Sequence, residues 1–538
     1  MAHLVTELDL PDFDFYAYDM RGHGLSPGAR GDSPSLLHSV CDLDSFVAWV
    51  ESEYGIAKAD IVVLAQSVGA VIASTWAHDN APSIRGLVLA APAFKVKLYV
   101  PFARAGLGLL HRCFGNFFVN SYVKARFLTH DVDRIASYEA DPLISRPISV
   151  RILLDLYRAA ERVVADAQAI ALPVQLLVSG SDFVVHQAPQ RRFFAALPHP
   201  RKELHVFDGF FHDTLGERDR HLALARIRDF VRGLFLHPPA PLSWRQAHRQ
   251  GPSFEEAQSL SRPLPWYKPR GAYWALTRAV LRWVAPLSRG IALGHQTGFD
   301  SGSTFDYVYR NQPQGKGVIG TLIDRIYLNS IGWRGIRVRK THVEELLRLA
   351  FERIRAQGMP LRVMDIAAGH GRYILDALSG SGAMPESILL RDYSELNVEQ
   401  GSALIAQRGL GHIARFEQGD AFDGAALAAI RPAPTLSVVS GLYELFADND
   451  RVAESLRGLA AAMPPGACLI YTGQPWHPQL ELIARALTSH RQAQAWVMRR
   501  RTQAELDELV ASAGFRKLEQ RIDPWGIFTV SVAVRRDA

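Results

Sequence analysis

Cysteine is scarce in this chain. Cys41, Cys113 and Cys468 are its three cysteines in 538 residues, too few for a disulfide framework and without zinc-ligand spacing, so no metal site is expected. Long hydrophobic runs are also missing. No stretch reaches the ~18 uncharged apolar residues that make a spanning helix, and the start lacks the basic, apolar and small-residue succession of a secretory leader. A reducing, cytoplasmic compartment is the expectation. Lysine is rare, with 9 of the 60 basic residues, so the net charge of +6 rests on Arg spread along the whole chain. A nucleic-acid binder gathers its charge on one element with interleaved aromatics, and no nucleic-acid partner is expected here. What is present is ordinary for a folded chain: 48% hydrophobic and 21% charged residues. The length calls for more than one core.

The pattern is α/β in two series. Apolar strands are expected at 13–19, 60–65, 84–91, 174–179 and 203–207, alternating with helices. Residues 95–170 interrupt that rhythm with helical, aromatic-rich sequence. Residues 237–270 hold Pro238, Pro239, Pro241, Pro252, Pro263, Pro265 and Pro269, which disfavour helix and predict an extended linker. The expected divisions are 1–236, the linker 237–270, a helical segment 271–357, and a second strand series over 358–538. Two partly apolar segments, near 95–125 and 273–293, read either as core-facing helices with snorkelling Arg or as peripheral membrane contacts.

Ala65-Gln66-Ser67-Val68-Gly69 lies between an apolar strand and an apolar helix. A nucleophilic Ser at such a sharp turn needs small neighbours, because the backbone is strained and closely packed. Asp182 follows the end of one later strand and His212 the end of the next. The order Ser67, Asp182, His212 is the one used when His takes the Ser proton and Asp holds the imidazole. Helix capping by Asp182 and a plain loop role for His212 are the competing readings. Together with Tyr18-Asp-Met-Arg-Gly-His-Gly-Leu-Ser26, Gly180-Ser-Asp182 and Gly209-Phe-Phe-His212, these motifs resemble the monoglyceride lipase and serine aminopeptidase branch of α/β-hydrolases over about residues 5–235. The resemblance implies that residues 95–170 are a lid, with Phe94, Tyr99, Phe102, Phe114, Phe117, Phe118 and Tyr122 lining an acyl channel or packing the lid itself. It implies Val68 N–H as one oxyanion donor. The family's first three strands and its His-Gly loop, source of the second donor, have no counterpart, so the unit is expected to lack them. A non-catalytic docking module is the alternative.

Leu361-Arg-Val-Met-Asp365-Ile-Ala367-Ala-Gly369-His-Gly371 reads as a strand, a glycine-containing turn and a helix start. Small residues there let backbone approach a ligand. The next strand ends in Asp392 and Tyr393, the third precedes Asp420 and Ala421, and the fourth precedes Tyr443 and Glu444. These four stations resemble class I S-adenosylmethionine-dependent methyltransferases. The resemblance implies Asp365, Ala367, Gly369 and Gly371 around the methionine part of that cofactor, Asp392 and Tyr393 at the ribose, and Asp420 and Ala421 at the adenine. Tyr443 and Glu444 are the candidates for the acceptor side, with a small or lipid-like molecule as acceptor. The segment around Tyr307–Gly315 and Trp333–Arg337 resembles the helical approach of methyltransferase domains fused to α/β-hydrolases in bacteria. It reads equally as a cofactor cover and as a polar seam between helices.

Overall fold

The computed structural model describes residues 2–120, 123–378, 384–491 and 494–537. The chain forms two compact units, Met1–Leu242 and Ser243–Ala538.

In the first unit four parallel strands lie in the order β1 (Val62–Gln66), β2 (Gly86–Ala90), β3 (Val174–Ser179) and β4 (Lys202–Phe207). Helix α1 (Leu36–Tyr54) starts on Ser35, whose side chain accepts from His38 N–H, and stops at Gly55 in the left-handed region. Helix α2 (Val68–Asn80) is buried on nearly all sides, as its run of small and apolar residues from Ala70 to Ala77 requires. Beyond β2 the chain makes an insertion before β3, with α3 (Ala103–Phe114), a short antiparallel pair (Phe118–Asn120 with Pro147–Ser149) and α4 (Val150–Ala165). Helix α5 (His221–Leu236) closes the unit.

The described residues 13–19 form no strand, contrary to their apolar pattern. A strand needs a neighbouring strand to pair with. Here the rings dock on helices instead: Phe13 on Phe235, Tyr16 on Tyr54 and Tyr18 on Phe46, at 4.9, 4.7 and 4.8 Å between centroids. Strand β1 pairs along one edge, with β2, and all five of its residues are partly exposed, whereas β2 and β3 are wholly buried.

The second unit opens on α6 (Pro252–Ser261), where an extended connector was expected. Pro252 occupies the first turn, where its missing N–H costs nothing. Helices α7 (Pro269–Val284), α8 (Gly302–Arg310) and α9 (Ile331–Ala356) follow. On α7 the core-facing reading holds for one face, where Leu281 and Val284 pack against the core. Gly271 and Trp274 are buried, but Tyr273, Leu276, Val280 and Trp283 are exposed, Trp283 to 80%. The sheet holds β5 (Arg362–Asp365), β6 (Ser387–Asp392), β7 (Ala414–Gln418), β8 (Leu436–Val439), β9 (Cys468–Gly473), β10 (Phe515–Ile522) and β11 (Thr529–Arg535). Their spatial order is β10-β11-β9-β8-β5-β6-β7, parallel except for β11, which runs antiparallel to β9 and β10. Apolar side chains fill both faces of this sheet, α9 contributing Leu346, Leu347, Ala350, Phe351 and Ile354 to one of them. The parallel strands β8, β5, β6 and β7 therefore present their carboxyl ends along one side, where a parallel sheet holds its ligands.

Candidate functional sites

In the first unit, Ser67 sits between β1 and α2 with φ +54° and ψ −117°. A non-glycine residue there costs about 1–3 kcal/mol and persists only when its surroundings over-determine it. They do: Ser67 N–H donates to Ala90 O at 2.9 Å and Ser67 O accepts from Ala93 N–H at 3.1 Å. Ser67 Oγ lies 2.7 Å from His212 Nε2, and His212 Nδ1 lies 2.8 Å from Asp182 Oδ2. Asp182 Oδ1 accepts from Val184 and Val185 N–H at 2.7 and 2.9 Å, so the carboxylate also caps the chain after β3. Capping and holding the imidazole are not exclusive, because the two oxygens divide the work. Asp182 and His212 are buried. Val68 opens α2, where the first N–H groups have no acceptor within the helix. A methyl group at Gly69 meets no atom within 4 Å, so this glycine does not mark a close approach.

Sequence reasoning missed the residues that hold the His212 loop. Gln66 donates to Asp213 Oδ1 at 2.7 Å and accepts from Leu215 N–H at 3.1 Å, tying the elbow to that loop. Buried Glu217 accepts from Phe211 N–H and His130 N–H at 2.9 and 3.0 Å. Neither residue has a pattern of its own. The acyl-channel set is dispersed: Phe94 is core, 4.7 Å from the Phe193 ring, whereas Tyr99, Phe102, Phe114 and Phe118 are exposed and Phe117 half-buried. Tyr122 lies outside the described residues.

In the second unit, Asp365 does not face a ligand. It is 0% exposed, and its two oxygens accept from Ala367 N–H at 3.1 Å and from the Tyr373 hydroxyl at 2.5 Å. Burial raises its carboxyl to about 7. Its place is under the turn rather than around a methionine moiety. Gly369 and Gly371 take φ of +57° and +71°. A Cβ at Gly371 lies 2.4 Å from Leu390 Cδ1, so that glycine serves packing; one at Gly369 meets only Gly302 Cα, at 3.6 Å. Asp392 Oδ2 accepts from Gly369 N–H at 2.9 Å, and Oδ1 from Ser394 N–H and Asn397 Nδ2 at 3.0 and 2.9 Å. The acid ending β6 thus fixes the turn ending β5. Half-buried Ala367 lies on the turn, Tyr393 is 78% exposed, Asp420 is exposed and accepts from Phe422 N–H at 2.9 Å, and Ala421 is buried.

Of the two readings of the approach segment, the structure shows the seam, and it places the neighbouring residues Gly302 and Asp306 beside the glycine turn. Gly302 on α8 faces the glycine turn, and Asp306 pairs with Arg372 at its far end. Tyr307 belongs to a seam with Asp324, which also accepts from Ser288 and Gly290. The two acceptor-side candidates part company. Tyr443 is 1% exposed in the core, its hydroxyl donating to Ser455 Oγ at 2.9 Å, so it is no acceptor-site residue. Glu444, its neighbour in a short 3-10 turn, lines a cavity of about 170 Å³ beyond the end of β8. Spacing suggested no metal ligands, yet the fold brings one ligand atom each of His248, Asp448 and Asp450 within 4.8 Å of one another.

The comparisons with known proteins agree with this division. Residues 227–535 match the family model described as "Putative methyltransferase", and residues 1–219 match "Serine aminopeptidase, S33". The whole chain aligns with "Uncharacterized protein YnbC" of Escherichia coli (strain K12), 56% identical over 538 residues that make 92% of that protein. A monoacylglycerol lipase of Mycolicibacterium smegmatis is 25% identical over 223 residues, which are 40% of this chain and 77% of that one. The solved monoacylglycerol lipase of Paleococcus ferrophilus is 26% identical, with a TM-score of 0.39, over 43% of this chain and 87% of its own. The chain belongs to the "Putative methyltransferase" family and carries, ahead of that domain, a serine aminopeptidase-type α/β-hydrolase domain.

Proposed function

We propose that the second unit transfers a methyl group from S-adenosylmethionine to a small or lipid-like acceptor. The observation that carries this reading is the joint between β5 and β6: a left-handed glycine turn held by the carboxylate of Asp392. The residues suit the group. Asp392 retains lone-pair capacity for ribose hydroxyls, since a carboxylate accepts about four bonds and three are used by the chain. His370, inside the turn, has a buried Nε2 with no protein partner among the described residues, a polar atom suited to a polar ligand. Ala367, Gly369 and Asp392 would hold the cofactor, with Asp420 and Ala421 at the adenine end. The cofactor, when bound, supplies an electrophilic methyl on a cationic sulfur. Asp365 and Tyr373 keep the turn in shape, and α8 excludes water from it. Thermal melting with S-adenosylhomocysteine tests the reading: the expected result is a saturable rise in the melting temperature that Asp392→Ala removes, and no rise refutes it.

For the first unit the reading is ester hydrolysis by Ser67. The relay of 2.7 and 2.8 Å from Ser67 through His212 to Asp182 supports it. Ser67 Oγ attacks the acyl carbon while His212 takes the hydroxyl proton and returns it to the leaving alcohol; water then releases the acyl group by the same relay. Val68 N–H faces the developing oxyanion. Fluorophosphonate labelling lost in Ser67→Ala tests this. A chain that hydrolyses no ester and takes no label refutes it.

A further inference from the structure

The cavity beyond β8 is walled mostly by rings and aliphatic groups, among them Phe305, Trp333, Ile336, Trp496 and Phe528. Polar side chains break that wall, among them Arg339, Glu444, Gln474 and His477, all buried. They are not fully matched to one another. Glu444 Oε1 accepts from the Thr472 hydroxyl at 2.7 Å, and Thr472 Oγ1 in turn accepts from Gly441 N–H at 2.8 Å. Glu444 Oε2 and Gln474 Nε2 have no partner among the described residues, and neither do Arg339 Nε, Trp496 Nε1 and the Tyr327 hydroxyl of the same wall. Arg339 comes only to 3.8 Å from Glu444. Its guanidinium is held elsewhere, 5.7 and 5.2 Å from the ring centroids of Phe305 and Phe528, and against Gly441, where a Cβ would lie 2.9 Å from Nη2.

A buried donor and a buried acceptor left unmet in one wall are expensive in a folded protein. They become favourable when a ligand supplies both partners. A hydroxyl does so with one group, donating to a carboxylate and accepting from an amide. The wall has little net charge to offer. Glu444 and Arg339 offset one another, and burial lowers His477 to about 4, leaving a neutral ring whose Nδ1 accepts from Gln479 N–H at 3.0 Å. A carboxylate ligand would meet Glu444, and an ammonium would meet Arg339. Size narrows the choice further. A dry apolar cavity of about 150 Å³ accommodates benzene, so about 170 Å³ holds one ring with a short substituent.

We infer that this cavity is the acceptor site of the second unit and takes a neutral, one-ring phenol or an alcohol of that size. Its hydroxyl donates to Glu444 Oε2 and accepts from Gln474 Nε2. The word acceptor rests on the methyl-transfer reading; the ligand chemistry does not. Position supports both, because Gly441 and Glu444 follow β8, and β8 runs parallel beside β5, whose end carries the glycine turn.

The test is calorimetric binding of 4-ethylphenol, ethylbenzene and 4-ethylbenzoate to the full chain without any methyl donor. Saturable binding of 4-ethylphenol is expected, with ethylbenzene weaker by roughly tenfold, the share of one hydrogen bond to a charged group, and 4-ethylbenzoate not binding. Glu444→Gln keeps the shape of the wall and should weaken 4-ethylphenol by roughly tenfold while leaving ethylbenzene unchanged. Ile336→Trp, which fills the cavity, should abolish both. Equal affinity for 4-ethylphenol and ethylbenzene, preference for the benzoate, indifference to Glu444→Gln, or no binding at all would overturn the proposal. S-adenosylhomocysteine binding is measured in parallel. Its loss with phenol discrimination intact refutes methyl transfer and leaves the ligand class standing; the converse refutes the cavity assignment alone.

Discussion

Replacing Asp365 by Asn will flatten the pH dependence of the second unit's stability. Asp365 is wholly enclosed under the glycine turn, and burial raises its carboxyl to about 7, against about 4 when exposed. The fold therefore favours the protonated, neutral form. Stability from this preference is complete below the unfolded value and is lost as pH rises through the folded one. The difference of about 3 units corresponds to at most about 4 kcal/mol lost between about pH 4 and pH 7. Asn keeps the shape and the neutrality. Its carbonyl can accept from Ala367 N–H, and its amide can donate to the Tyr373 oxygen, since a tyrosine hydroxyl serves in either sense. The variant should therefore lack that loss. In calorimetric melts of the full chain, the variant should gain on the parent as pH rises, reaching about 8 °C by pH 8, at about 2 °C per kcal/mol. A difference between the two proteins that is the same at acid and alkaline pH would refute the reasoning, because it would mean that Asp365 does not change ionisation on folding.

Three further outcomes can be checked. Asp182→Asn should leave the first unit folded but lower its ester hydrolysis by about 10⁴-fold, the cost of the wrong imidazole tautomer; hydrolysis within tenfold of the parent would remove Asp182 from the relay. Gly371→Ala puts a methyl 2.4 Å from Leu390 at a φ of +71°, and should destabilise the second unit by about 1–3 kcal/mol in denaturant titration. Helix α7 exposes Tyr273, Leu276, Val280 and Trp283 alongside Arg282, and we predict low-salt sedimentation with anionic vesicles that Trp283→Ser weakens; a chain that stays in the supernatant at all salt concentrations has no such membrane contact.

The two sites differ in how far spacing alone could reveal them. Ser67, Asp182 and His212 each stand just beyond a strand, and parallel strands deliver such positions to one end of the sheet, so their meeting follows from order along the chain. The acid after β6 is legible for the same reason. Asp365 is not, because a carboxylate before a glycine turn can point into the turn or beneath it, and only the Tyr373 hydroxyl and the packing above it make the inward position the stable one. Tyr443 and Glu444 show the same limit. In a 3-10 turn adjacent side chains diverge, and which one reaches the cavity depends on Ser455 capturing the tyrosine hydroxyl from another helix.

Local interactions need only neighbours a few positions away, and those are written in the chain. Helix α1 between Ser35 and Gly55, the strained elbow with its small neighbours, and the periods of both strand series were determined there. What depended on partners far along the chain was decided by the fold. Residues 13–19 carry a strand's pattern but pair with no strand, and their rings turned to α1 and α5. Pro252 began a helix because the fold supplied a surface for it. The cavity beside Glu444 is built from side chains between Thr277 and Phe528, a set with no period or motif, brought together only when the helices of the second unit close over the end of its sheet.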